Sequence, residues 1–262
     1  MTVGAGGHAE ALLESGVRRV AGVDRDPDAL AAASERLARF GDRFVPVQAR
    51  FSEVPRIVDE ASLRAVEGTL YDLGVSSLHL DRPERGFSYR SEGPLDMRMG
   101  PGGRSAREIV HETPEEDLAD LIYRYGEERA SRRIARAIVR ARERAPIETT
   151  AELARIVAAA AGRRRGGPHP ARRTFQALRI AVNEETEELT ASLPQAVGVL
   201  EPGGRIAVIS YHSIEDRIVK RALASDDRLE VLTKKPVRPR PEEQERNRRA
   251  RSAKLRVARR AA

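Results

Sequence analysis

The sequence has 262 residues and contains no cysteine. That excludes disulfides, thiolate catalysis and cysteine-ligated zinc, and it agrees with a cytoplasmic protein. Aromatic residues are scarce at 4%, so a core within the 40% apolar total must be built from Leu, Ile, Val and Ala. No apolar run reaches the roughly 18 residues that a membrane-spanning helix needs, so no membrane partner is expected. No charged stretch leading into an apolar one marks a signal peptide.

Positive charge is abundant and uneven. The formal net charge is +7, but residues 234–262 hold twelve Lys or Arg against three Glu, a local +9 that leaves −2 for the rest. A second block, Arg163, Arg164, Arg165, Arg172 and Arg173, has no acid within it. Concentrated basic segments suit a polyanion, most simply nucleic acid; a solvated Arg-rich surface is the plainer alternative.

Residues 1–80 alternate short apolar runs with helical spacing. Strands are expected at 17–23, ending in Asp24, then at 44–47 and 69–72, with a helix over 28–40. This alternation predicts a parallel sheet covered on both faces. Residues 81–105 are rich in Gly, Pro and Arg, yet carry Phe87, Tyr89, Leu95, Met97 and Met99, which a plain linker would lack. Helical patterns follow without a strand. Thr113-Pro114-Glu115-Glu116 reads as a helix start with Thr113 as N-cap, Gly126 as a stop, and Thr149 with Glu152 as a capping box. One helix is expected through 175–193. Pro202-Gly203-Gly204 should turn into a strand over 205–210, and two more strands are expected at 229–233 and 255–258. The fold class is therefore α/β. Residues 1–105 and 171–262 form one domain, in which the first and last thirds share a sheet. Residues 106–170 form an inserted all-helical subdomain.

Residues 4–10 read GAGGHAE. Glycines in this pattern let the backbone turn tightly, and a following helix N-terminus offers free N–H groups to an anionic ligand. Asp24, at the end of the next strand and twenty residues after Gly4, stands where an acid accepts hydrogen bonds from ribose hydroxyls. Asp72 ends the third strand and points to the same crevice. Phe51 follows the second strand and could pack on a purine ring or in the core. The glycine pattern alone would serve a dinucleotide, S-adenosylmethionine or a simple turn.

The segments GAGGH, VDRDP, YDLGVSS, ERGFSYRSEGPLDMRM, YGEERASRRIARAIV, HPARRTFQALRIAVNEE, LEPGGRIAVISYHSIEDRIVK and RSAKLR occur in order. Together they resemble the bacterial 16S rRNA (cytosine-N4)-methyltransferase family over nearly the whole chain. The resemblance implies a Rossmann-like methyltransferase sheet with an inserted helical domain that helps bind substrate. It also implies methyl transfer from S-adenosylmethionine to the exocyclic N4 of a cytidine in the P-site region of 16S rRNA, with the small ribosomal subunit as partner. The implied cofactor contacts are Gly6, Gly7, His8, Asp24, Phe51, Asp72 and His79, the last standing where the family usually has Gln. Family members also carry a first strand ahead of the glycine turn. Met1 is therefore expected to be an internal methionine of the family's Asp-x-Thr-x-Gly motif.

An N4 amine is a poor nucleophile because its lone pair is delocalised into the ring. A positioned hydrogen-bond acceptor and an in-line methyl donor suffice to activate it, without metal or covalent intermediate. Asp72 is the expected acceptor and His212 the second catalytic candidate. His212 could equally cap the helix that begins near Ser213. Arg98, Arg104, Arg163–Arg165, Arg172, Arg173 and the tail arginines are candidate phosphate contacts. A DNA cytosine-N4 methyltransferase would be expected to show a Pro-Pro-aromatic motif after Asp72, and Leu73-Gly74-Val75 stands there instead. An RNA-binding protein with an impaired cofactor site is the remaining alternative, because the first strand is missing.

Overall fold

The computed structural model describes residues 2–63, 65–162 and 167–262. The basic block Arg163–Arg165 lies outside the described residues. The chain divides into two units, Met1–Ser76 with Thr186–Ala262, and Ser77–Glu185.

The first unit opens with helix α1 (Gly7–Glu14), strand β1 (Val20–Asp24), α2 (Pro27–Leu37), β2 (Phe44–Gln48), α3 (Val54–Glu60) and β3 (Val66–Asp72). Successive strand residues face opposite sides, and the core shows it. Phe44 packs with Leu13, Ala33 and Leu37 of α1 and α2, whereas Val45 and Val47 join Ile57 of α3. The parallel β1–β2 pair, with Val20 opposite Phe44, is thus covered on both faces. Gly22 is required in β1: a Cβ there would sit 2.4 Å from the Phe44 ring.

The second unit holds α4 (Ser77–Asp81), α5 (Ala106–Glu112), α6 (Glu115–Gly126), α7 (Ser131–Arg142), α8 (Thr150–Ala161) and α9 (Arg172–Asn183). Leu118, Ile122, Ile134, Ile138, Leu153 and Leu178 are fully buried within it. The Thr149/Glu152 capping box forms as expected. Thr113 does not cap α6. It closes α5, its N–H bonding the Ile109 carbonyl, and Pro114 takes the cap position without a side-chain bond. Residues 86–105 have almost no regular structure but are pinned by buried Leu95, Met97 and Met99.

The helix expected over 175–193 is two helices. Glu184 adopts φ 53° and ends α9, and α10 (Glu185–Val199) begins beyond it. The buried Asn183 amide accepts from the Met99 N–H (2.9 Å) and donates to the Met97 carbonyl (2.8 Å). The break is therefore tied to the preceding loop.

The first unit resumes with β4 (Leu200–Ser210), α11 (Ser213–Ser225), β5 (Leu229–Val231), α12 (Pro241–Arg246) and β6 (Lys254–Arg260). Its larger sheet has the order β3-β4-β6-β5, with β3–β4 parallel and β6 antiparallel to both neighbours. β4 starts earlier than expected, and its pairing with β3 jumps from Leu200 to Arg205 across Pro202-Gly203-Gly204.

The first and last thirds share a sheet through β3 and β4. Among the described residues, β1 and β2 form a separate two-stranded sheet. Thr2 and Val3 link the ends of the two sheets. The Val3 N–H donates to the Val23 carbonyl (2.7 Å), while Thr2 Oγ1 donates to the Asp72 carbonyl (2.7 Å) and accepts from the Asp72 N–H (2.8 Å).

Candidate active site

The parallel pairs β1–β2 and β3–β4 bring strand ends beside the glycine turn. Gly6, at φ 82°, precedes α1, and a Cβ there would approach Leu37 Cδ1 to 3.2 Å, so the turn needs glycine on two counts. Asp24 Oδ2 accepts from the Gly4 N–H and Oδ1 from the Asp26 N–H, both at 3.0 Å. The Asp24 carboxylate thus ties the glycine turn to the end of β1.

Asp72 is the best-held group of the site. Tyr211 follows β4 and donates its OH to Asp72 Oδ1 at 2.8 Å. His8, half-exposed on the first turn of α1, places Nδ1 3.4 Å from Asp72 Oδ2. Hydrogen bonding to Asp72 raises the His8 pKa above 6.5 against partial burial. Burial and the charge of Asp72 push the Tyr211 phenol upward, so it stays a neutral donor.

His212 serves as the N-cap of α11. Its Nδ1 accepts from the Glu215 N–H (3.4 Å) and its Nε2 lies 3.0 Å from Glu215 Oε1, so both ring nitrogens face Glu215. The buried Glu215 carboxylate also accepts from the backbone N–H of Tyr211 (2.8 Å) and His212 (3.2 Å). Tyr211 is therefore fixed at its backbone as well as at its hydroxyl.

Phe51 packs edge-on against Tyr71, ring centroids 5.9 Å apart. Its turn is anchored by Glu188, which accepts from Arg50 Nη1 (3.0 Å) and the Ser52 N–H (3.3 Å). The first unit thus assembles the glycine turn, His8, Asp24, Asp72, Tyr211 and His212. His79 belongs to the second unit, where it is buried and stacked on Phe87 at 4.8 Å. Sequence reasoning missed Tyr211; its signal was the position directly after the strand parallel to the one bearing Asp72.

The parallel pairs β1–β2 and β3–β4 deliver Asp24 and Asp72 to a glycine turn that opens a helix, the arrangement of a Rossmann-like α/β unit. The chain belongs to the MraW methylase family, whose model matches residues 1–261. It is 55% identical to the ribosomal RNA small subunit methyltransferase H of Sorangium cellulosum, over 99% of this chain and 83% of that one. The enzyme of the same name from Deinococcus radiodurans is 53% identical, over 100% and 82% of the two chains. A solved rRNA methylase from Streptococcus thermophilus aligns with TM-score 0.45 and 10% identity, over 100% of this chain and 84% of that one.

Proposed function

We propose that this chain transfers a methyl group from S-adenosylmethionine to the exocyclic N4 of a cytidine in the P-site region of 16S rRNA. The observation that carries the reading is the Asp72 carboxylate, held on one oxygen by Tyr211 and beside His8 of the glycine turn on the other. The names of the relatives support a small-subunit rRNA substrate.

The residues present suit the cofactor. Asp24 stands at the end of β1 beside the turn, where an acid meets ribose hydroxyls, Gly6 gives the turn its left-handed backbone and close packing on α2, and Phe51 offers an apolar edge. When bound, S-adenosylmethionine supplies an electrophilic methyl on a sulfonium. Asp72 Oδ2 accepts a hydrogen bond from the amine, which favours its pyramidal form and holds its lone pair in line. The N–C bond forms as the sulfonium S–CH3 bond breaks, its electron pair staying on the sulfur of the thioether product, and the amine gives up one proton, for which Asp72 is the acceptor. Tyr211, neutral and pinned, keeps the carboxylate from turning away.

Unmethylated 16S rRNA, from cells lacking the corresponding gene, is the substrate for the test. Incubation with S-adenosylmethionine and the purified chain should yield N4-methylcytidine in a nucleoside digest. Its absence would overturn the reading. The break between the β1–β2 and β3–β4 sheets favours a second reading, an RNA-binding protein with an impaired cofactor site. Titration calorimetry with S-adenosylmethionine separates the two, because only the first gives binding heat.

A further inference from the structure

Twelve cations crowd the C-terminal 29 residues, and the structure sorts them by use. Lys254 and Arg256 bind Asp216 at 3.0 and 2.7 Å. Arg259 pairs with Glu230, and Arg260 donates to the Leu200 carbonyl. These four hold β6 in place. The excursion between β5 and β6 is different. Lys234, Lys235, Arg238, Arg240, Arg248 and Arg251 are all exposed, and none pairs with a carboxylate among the described residues.

The excursion is nonetheless built. Val237 and Leu255 exchange two backbone hydrogen bonds of 2.9 Å, Gln244 Nε2 donates to the Pro239 carbonyl, and Ala250 is buried. Leu232 and Val237 stand 43% and 53% exposed beside the cations. Elsewhere on the same unit, Arg36, Arg39, Arg56 and Arg228 are matched with acids. Residues 234–251 hold eight Lys or Arg against Glu242, Glu243 and Glu245, a local +5, and a polyanion relieves the repulsion among the excess cations.

The position of the excursion supplies the partner. Val237 is bonded to Leu255 of β6, and Leu255 lies opposite Ile209 of β4, two residues before Tyr211. The excursion therefore borders the Asp72–Tyr211 pair.

We infer that the 234–251 excursion is the rim on which the RNA backbone lies, its unpaired lysines and arginines contacting phosphates as the target base enters the crevice at Asp72. This deepens the rRNA methyl-transfer reading and rests on it. Arg98 is forked onto Asp96, Arg104 is paired with Glu112, and Arg173 lies 3.7 Å from Glu128.

The test compares the full chain with the variant K234A/K235A/R238A/R240A and a control, R56A/R259A, which removes paired arginines. Anisotropy with a fluorescent transcript of the 16S P-site region is read across a salt series, together with S-adenosylmethionine binding and thermal midpoint. The quadruple variant should bind RNA on the order of tenfold more weakly or worse. Its slope of log affinity against log salt should be shallower by about 3, at ~0.7 per single-strand phosphate contact. Its cofactor affinity and thermal midpoint should match the parent, and the control should keep the parental RNA slope. A quadruple variant with parental affinity and slope overturns the inference, and leaves the methyl-transfer reading standing if the parent methylates the transcript. A parent chain that neither binds nor methylates the transcript overturns both.

Discussion

Asp72 is gripped at its backbone by Thr2, at Oδ1 by Tyr211 and beside Oδ2 by His8. If Tyr211 acts through Asp72, Tyr211→Phe removes only the positioning of the carboxylate. kcat for methyl transfer should fall roughly 10- to 100-fold with KM for the cofactor unchanged, as a slight misplacement of a reacting group costs. Asp72→Asn should be more severe, and the double variant no worse than Asp72→Asn alone, because two residues acting as a unit are not additive. Multiplying effects would assign Tyr211 a separate role. His8 yields a prediction about stability. Its folded pKa is raised above 6.5 by Asp72, so the stabilisation is fully present below that value and is lost as pH rises through the raised one. Thermal midpoints of the parent and His8→Ala, compared from about pH 5 to about pH 9, should differ most at the acid end and converge as pH rises. A gap that widens with pH would mean the pair is not formed.

At the scale of elements, the division between α9 and α10 depends on one side chain. Asn183→Ala leaves a buried N–H and a buried carbonyl of the 97–99 loop without their partner, which should cost about 2–4 kcal/mol in urea unfolding. Asn183→Asp keeps the acceptor for Met99 but sets a buried carboxylate against the Met97 carbonyl, so it should cost at least as much at neutral pH and recover toward acid pH, where the protonated group can donate. This break was not legible in the sequence. The residue at positive φ is Glu184 rather than glycine, helical periodicity continues through it, and its cause lies 84 residues upstream. The Thr149/Glu152 box was legible because both partners lie within four residues of each other. The Thr113 cap was misread because α5, started by its own Ser105/Glu108 box, already claims that residue. Asp24 and Asp72 could be read because parallel strands gather their carboxyl ends at one edge. Tyr211 is legible only through its place directly after β4, since its partner is 139 residues away.

For the whole molecule, chain connectivity separates what each unit can do alone. The first unit is discontinuous: β3 finds its partner β4 only after 109 intervening residues of the second unit, Ser77–Glu185. The second unit is contiguous, and Leu118, Ile122, Ile134, Ile138, Leu153, Leu178 and Ile180 give it a core of its own. A segment of that size, with its own buried core, can fold as a domain. The excised chain Ser77–Glu185 should therefore show a strongly helical circular dichroism spectrum and a single cooperative thermal transition. A longer fragment ending at Glu185 should keep that helical transition but bind no S-adenosylmethionine by calorimetry, since β3 and Asp72 have lost β4, Tyr211 and the buried cluster beneath them. A broad, non-cooperative melt of the 77–185 chain would show that its helices depend on the first unit. Cofactor binding by the longer fragment would show that the glycine turn and Asp24 suffice without the second half of the sheet.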